Sequence, residues 1–231
     1  MPSSFRVPFK EAVIKARDKA YVKHTGDSLI LDVIKYYESH DDRNLYPETL
    51  YYGGRVYCDI GDYPTALRYF QKALDKYPAN STDLVRSNIL SQTGGLLQDM
   101  ELPLEAVKYL IETIRINMAL GDTVNLVYNH QLLGSIYMAA RMYDKAESQF
   151  NEAHKWAENV SDMRYSDELM GNVQTYKAAL MWYRDSLDSA LSLIHGVESR
   201  VEPEYRNYAY ISAAHIYLEA GRIDSAYKYC L

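Results

Sequence analysis

The chain has 231 residues, 48% of them apolar and 24% charged, a length and composition that can bury a full core in one or two domains. Its net charge is −6, with no Lys/Arg cluster longer than two residues, which argues against nucleic acid or an anionic membrane surface as partner. No apolar run approaches the roughly 18 residues of a membrane span, and tyrosine is the outlying number, at 23 against 4 Phe and 2 Trp.

The opening MPSSFRVPFKEA has no apolar h-region and is not a signal peptide; residues 1–8 are expected to form a disordered N-terminal segment. FKEAVIKARDKAYVK is amphipathic with helical period, His24-Thr25-Gly26-Asp27 breaks it, and SLILDVIKYYESH follows. Residues 9–46 are therefore read as one degenerate helix pair.

From residue 47 a pattern repeats. Gly54 and Tyr57 precede Ala66 by fixed offsets, and Phe70, Ala73 and Pro78 follow it. The same offsets return with Gly94, Leu97, Ala106 and Leu110, and with Gly134, Tyr137, Ala146, Phe150 and Ala153. Weaker copies are Ala178, Met181, Ala190 and Ile194, then Ala214, Tyr217, Ala226 and Cys230. Within each copy two apolar-periodic segments flank a short break such as Asp59-Ile60-Gly61-Asp62, which predicts helix, turn, helix. The small residues mark where antiparallel helices approach closely, and the large ones fill the space beside them. Asp62 can cap the second helix of the first copy, and Pro64 is tolerated in its first turn. Residues 47–231 thus hold about five helix pairs. The last stops inside its second helix on an apolar, aromatic end where a solenoid needs a polar cap, so the chain is expected to be part of a longer protein.

This pattern resembles the tetratricopeptide repeat (TPR). Gly54, Tyr57, Ala66, Phe70, Ala73 and Pro78 meet the family pattern in full, whereas Thr113 and Val197 replace its third small residue, and Met118, Glu158 and Glu202 its proline. Successive copies are longer than the usual repeat of about 34 residues, as in extended-repeat TPR arrays. KARDKAYVKHTGDSLILDVIKYYE followed by LYYGGRVYCDIGDYPTALRYF is similar, over about residues 10–80, to bacterial envelope TPR proteins with a lipoprotein-type N-terminus and an intracellular signalling or DNA-binding tail. The resemblance implies an all-α, right-handed TPR superhelix (α-solenoid) that is non-catalytic and binds a protein or peptide partner as the sensor or docking arm of a larger bacterial regulatory protein. It implies an extracytoplasmic, membrane-tethered location if that topology holds, and a cytoplasmic one otherwise. The alternatives are an assembly scaffold without a groove ligand and an accessory domain of an enzyme whose catalytic part lies elsewhere.

The chemistry readable in the residues is sparse. None of the six histidines sits in HExxH or has Cys or carboxylate partners at metal-ligand spacing, and no acid, base and nucleophile constellation is readable, so no catalytic, metal or cofactor residue is assigned. His130 takes a position of a core aromatic and is expected to be packed. Cys58 and Cys230 are four repeats apart, several tens of ångströms at about 8–10 Å per helix step, and are expected to be free thiols. In TPR solenoids the first helix of each pair lines the ligand groove. Register places Glu48, Tyr51, Arg55, Asn88, Gln92, Tyr128, Gln131, Asn172, Thr175, Tyr208 and His215 there, a mixture of amides and tyrosines suited to a peptide. The carboxylate clamp of co-chaperone TPRs is absent, since only Arg55 among the matching positions could serve it.

Overall fold

The computed structural model of the protein describes residues 3–40, 45–78, 80–201 and 206–230, with side chains for all of these except residues 3–6, 164, 200, 207 and 208. Among the described residues there are twelve helices and no strand. They are α1 (Ser3–Lys19), α2 (Ser28–His40), α3 (Leu45–Ile60), α4 (Tyr63–Leu74), α5 (Leu84–Asp99), α6 (Pro103–Leu120), α7 (Thr123–Ala139), α8 (Tyr143–Glu158), α9 (Met163–Tyr183), α10 (Leu187–Arg200), α11 (Asn207–Glu219) and α12 (Ile223–Lys228). The fold class is all-α, an α-solenoid of helix pairs. α1 starts at Ser3, so part of the segment 1–8 expected to be disordered is helical; Val7 packs against the core of the first unit and anchors that turn.

The same turn follows the first helix of every pair. After α3, Asp62 N–H donates to Tyr57 C=O at 3.0 Å and Gly61 N–H to Cys58 C=O at 3.1 Å, with Gly61 at φ 86°. These two bonds satisfy the last carbonyls of the helix and need one left-handed residue. Leu97, Tyr137, Met181 and Tyr217 accept the same long bond after α5, α7, α9 and α11, and Arg17 does so after α1. The left-handed positions there are Glu101, Arg141, Asp185, Gly221 and Tyr21, so most of the turns form without glycine. The aromatic or large marker therefore has a backbone duty as well as a packing one. At the far side of the turn after α3, Asp62 accepts from Thr65 N–H at 3.1 Å, and Pro64 lies in the first turn of α4.

The chain divides into two compact units, Met1–Ile116 and Asn117–Leu231, with the division inside α6. In the first unit Ile14, Ile30, Val33, Leu50, Val56, Ala66, Phe70 and Ile89 form one core joining α1 to α5. Gly54 lies against the Phe70 ring, and a Cβ there would sit 2.2 Å from Cε1. In the second unit Ala146, Phe150 and Leu180 form one cluster, Val127, Ala153, Ala157, Leu169 and Val173 another, and Ala178, Ala190, Ile194, Ala209, Ala213 and Ile216 a third. Thr113, which departs from the small-residue pattern, is fully buried and donates its hydroxyl to Tyr109 C=O at 2.9 Å. His130 is buried, with Nδ1 2.8 Å from Gln149 Oε1, and burial lowers its pKa.

A charged cluster ties α5 to α6 in the first unit. Arg86, mostly buried, donates to Glu112 at 2.9 Å and to Ser81 C=O at 3.2 Å, while Arg115 donates to the same carboxylate at 2.8 Å. The bond from Arg115, opposed by burial and reinforced by Arg86, holds the Glu112 carboxyl at about 2. Because this lies below the ordinary 4.5, the unfolded chain binds more protons between those values. The contribution to stability is complete above about pH 4.5 and is lost as pH falls toward about 2. Glu112→Gln should therefore lose about 1 kcal/mol near neutral pH, read as a lower urea midpoint. The gap from the unsubstituted chain should narrow steadily below about pH 4, and a gap independent of pH would show that the carboxylate charge contributes nothing.

Candidate functional site

The first helices α1, α3 and α5 of the first unit share a polar face. Three registers of side chains cross it. Nearest the start of α1, Glu11 accepts from the Tyr37 hydroxyl at 2.7 Å and from Lys15 Nζ at 2.7 Å. Lys15 reaches on to Glu48 of α3 at 2.8 Å, and its ammonium lies 5.6 Å from the centre of the Tyr52 ring. Farther along, Arg55 of α3 donates Nε to Asp18 at 2.8 Å and Nη1 to Gln92 Oε1 at 2.6 Å, so one guanidinium links α1, α3 and α5. Beyond it, His24 Nδ1 lies 2.8 Å from Asp59 Oδ2, to which the His24 N–H also donates. Asp27 accepts from the Tyr57 hydroxyl at 2.6 Å. The loop between α1 and α2 is thereby pinned to the end of α3.

Electrostatics follow from that pairing. Burial pulls the Lys15 and Arg55 pKa values down, but the bonds to Glu11 and Glu48 in one case and to Asp18 in the other outweigh it, and both cations are stabilised. Both are committed to neighbours within the fold. Burial pushes the Cys58 thiol up to about 11, so it is protonated and inert at neutral pH. Cys58 and Cys230 are both free.

Of the eleven residues assigned by register, Glu48, Arg55 and Gln92 belong to this network, and Asn88 stands half-buried one turn before Gln92 on α5. Tyr51 does not line an open face. It is buried, packs against Tyr52 and Phe70, and its phenol pKa is raised by burial. In the second unit Tyr128 is 40% exposed and its hydroxyl lies 2.9 Å from that of Tyr165 on α9. Asn172 is half-buried and His215 exposed. Gln131 and Thr175 are buried, and Thr175 turns its hydroxyl back to Gly171 C=O at 3.0 Å. The corrections at Tyr51, Gln131 and Thr175 share one cause. The three occupy the same repeat register, and in these three copies its side chain is buried in packing. The Tyr208 side chain lies outside the described residues.

Register reasoning passed over Lys15, Asp18 and Glu11, because the degenerate first pair carries no markers. A signal existed: Asp18 to Arg55 and Arg55 to Gln92 are each 37 residues apart, as are Tyr128 and Tyr165. Complementary residues at that spacing face one another on successive first helices. A cavity of about 330 Å³ between α9 and α10, edged by Asp167, Gln174, Ser192, Leu193 and Gly196, was likewise unforeseen. Among the described residues no group of three or more His, Cys, Asp or Glu could hold a metal ion, and no helix is long and apolar enough to cross a membrane.

The family profile of the tetratricopeptide repeat matches residues 54–83. Tetratricopeptide repeat protein 29 of Homo sapiens is 30% identical over 176 residues, covering 71% of this chain and 36% of that protein, and the Macaca fascicularis protein of the same name is 28% identical over the same span. The chain thus spans little more than a third of the length of these curated relatives. Among solved structures, aspartyl phosphate phosphatase F from Bacillus subtilis superposes with a TM-score of 0.67 at 16% identity, over 98% of this chain and 57% of that one. The Rap conjugation gene regulator of plasmid pLS20, in complex with the Phr* peptide, gives 0.65 at 16% identity, over 84% and 53%. At such identities the likeness is one of fold.

Proposed function

The chain is a tetratricopeptide repeat protein, and on that premise we propose that it is a non-catalytic module that binds a protein or peptide partner along its first helices. The observation that carries this reading is the bonded polar face of α1, α3 and α5. Glu11, Lys15, Glu48, Asp18, Arg55 and Gln92 are held by one another, so amide and carboxylate acceptors are fixed before any partner arrives. A preordered surface loses little side-chain entropy on binding. The finer reading, the sensor or docking arm of a larger regulatory protein of bacterial type, rests on the likeness of residues 10–80; the curated relatives named above are from primates. A scaffold that binds through other surfaces is the second reading, favoured by the commitment of Arg55 and Glu48 to partners inside the fold.

Peptides selected against the chain from a random displayed library distinguish the two. The selected peptides should lose at least about tenfold in affinity, or about 1.4 kcal/mol, to a chain carrying Asn88→Ala, or to one carrying Tyr128→Ala, while the melting temperature stays within about a degree or two. Unchanged affinity for both variants would place the contact elsewhere and favour the scaffold.

A further inference from the structure

The pair α9–α10 differs from the pairs before it in what lies between its two helices. Counting back from Ala190 to the equivalent markers Ala146, Ala106 and Ala66 aligns the pairs residue by residue. Between α5 and α6 this register is crossed by Arg86 and Glu112, bonded at 2.9 Å. Between α7 and α8 it is crossed by His130, whose Nδ1 lies 2.8 Å from Gln149 Oε1. The residues of α9–α10 at those positions are Met170 with Gly196 and Gln174 with Leu193, and neither couple can make such a bond.

In place of the bonds there is the cavity of about 330 Å³, with Gly171, Val197 and Val201 among the residues that line it. Gly196 keeps it open. A Cβ there would have nothing within 4 Å, whereas a Cβ on Gly171 would sit 2.7 Å from Val201 Cγ2. The pair is internal to the array, since α8 packs on α9 and α11 packs on both α9 and α10.

The polar groups at its mouth are uncommitted. Asp83, the equivalent of Asp167, caps α5 by accepting from Val85 N–H and Arg86 N–H. α9 begins at Met163, one turn ahead of Asp167, and there Asp162 accepts from Tyr165 N–H at 3.2 Å in the capping role. The Asp167 carboxylate is therefore left exposed at the edge of the cavity, and among the described residues no ion pair or hydrogen bond holds it. Gln174 stands half-buried where Leu50, Leu90 and His130 are buried in the earlier pairs, and among the described residues its amide is likewise unbonded.

We propose that the cavity between α9 and α10 binds a small organic cation, an amine or guanidine carried on an apolar stem. The volume lies at the lower end of the about 300–1,000 Å³ typical of small-molecule pockets. Its walls are mainly apolar, and Asp167 is the one charged residue edging it among the described ones. The sister pair shows the fit, because the same register between α5 and α6 holds the guanidinium and aliphatic stem of Arg86. The stem of the ligand lies against Met170, Leu193 and Val197, and its head donates to the Asp167 carboxylate and to Gln174 Oε1. This site shares no residue with the polar face of α1, α3 and α5.

The probe is phenethylamine, titrated into the chain carrying methyl-labelled methionine and followed by NMR, with the Met170 signal identified through Met170→Leu. The Met170 methyl should shift saturably. Phenethyl alcohol, the neutral counterpart, should bind at least about tenfold more weakly, the loss expected for a hydrogen bond to a charged group. Asp167→Asn should bring the amine down to the level of the alcohol. Gly196→Leu should fill the cavity and abolish the shift without lowering the melting temperature, because its Cβ meets open space and leucine favours a helix over glycine. Acetyl-arginine amide is the second arm: a shift with it and not with the amine assigns the cation to a side chain of a partner protein, and a shift with the amine assigns it to a free small molecule. Either result supports the site. No saturable shift with either compound, or a shift that survives Gly196→Leu, would overturn the proposal, and equal binding of amine and alcohol would overturn its cationic ligand.

Discussion

Phe70→Ala should destabilise the first unit by about 3–5 kcal/mol, the range for removing a buried aromatic side chain. Phe70 is fully buried, and its ring lies where a Cβ on residue 54 would fall, at 2.2 and 2.3 Å from two of its carbons. The partner change, Gly54→Ala, should itself lose about 1–3 kcal/mol by overpacking, despite the gain in helix propensity that alanine brings. The repeats supply the control. In the second unit the same two positions are Ala178 and Ile194, both fully buried in one cluster. Gly54→Ala with Phe70→Ile rebuilds that pair inside the first unit and should recover at least about 1 kcal/mol relative to the sum of Gly54→Ala alone and Phe70→Ile alone. Urea titration of the original chain, Gly54→Ala, Phe70→Ile and the double gives the cycle. Additive losses would mean that the glycine is kept for some reason other than the ring against it.

The small–large pairing was legible because it depends on contacts within one helix hairpin, which the periodicity of a single chain reports directly. Gly54 with Phe70, Gly134 with Phe150 and Ala178 with Ile194 all meet as their offsets imply. The Asp62 cap and the first-turn Pro64 were equally local. What the sequence hid is set by neighbouring hairpins. Tyr51, Gln131 and Thr175 look like groove residues from their own helix, and only the packing around them shows that they are buried. Asp18 and Lys15 look like ordinary solvated charges of an amphipathic helix until α3 brings Arg55 and Glu48 against them. The turns were half visible. Gly61 and Gly221 announce a left-handed residue, whereas Glu101, Arg141 and Asp185 adopt the same conformation with no glycine to mark it.

Arg55→Ala should have the largest effect of any single change on the polar face, about 1–3 kcal/mol. Removing one partner of a buried ion pair costs about 3–5 kcal/mol, and here the Arg55 and Asp18 side chains keep 24% and 15% of their exposure, so water recovers part of that. Asp18 would be left without its cation, Gln92 would lose its donor, and the hold of α3 on both α1 and α5 would go together. Asp18→Leu with Arg55→Leu removes the charges as a pair, leaves neither stranded, and should restore most of the loss. The comparison also bears on function. If Arg55→Ala is destabilising and the double leucine chain is not, the guanidinium works as a clasp, and a partner must read the face through Asn88 and the outer edges of the paired carboxylates. If Arg55→Ala leaves stability within about 0.5 kcal/mol of the original, the pair with Asp18 holds little. An acidic partner could then displace that carboxylate and take the guanidinium for itself, making α1 the element that moves when a ligand binds.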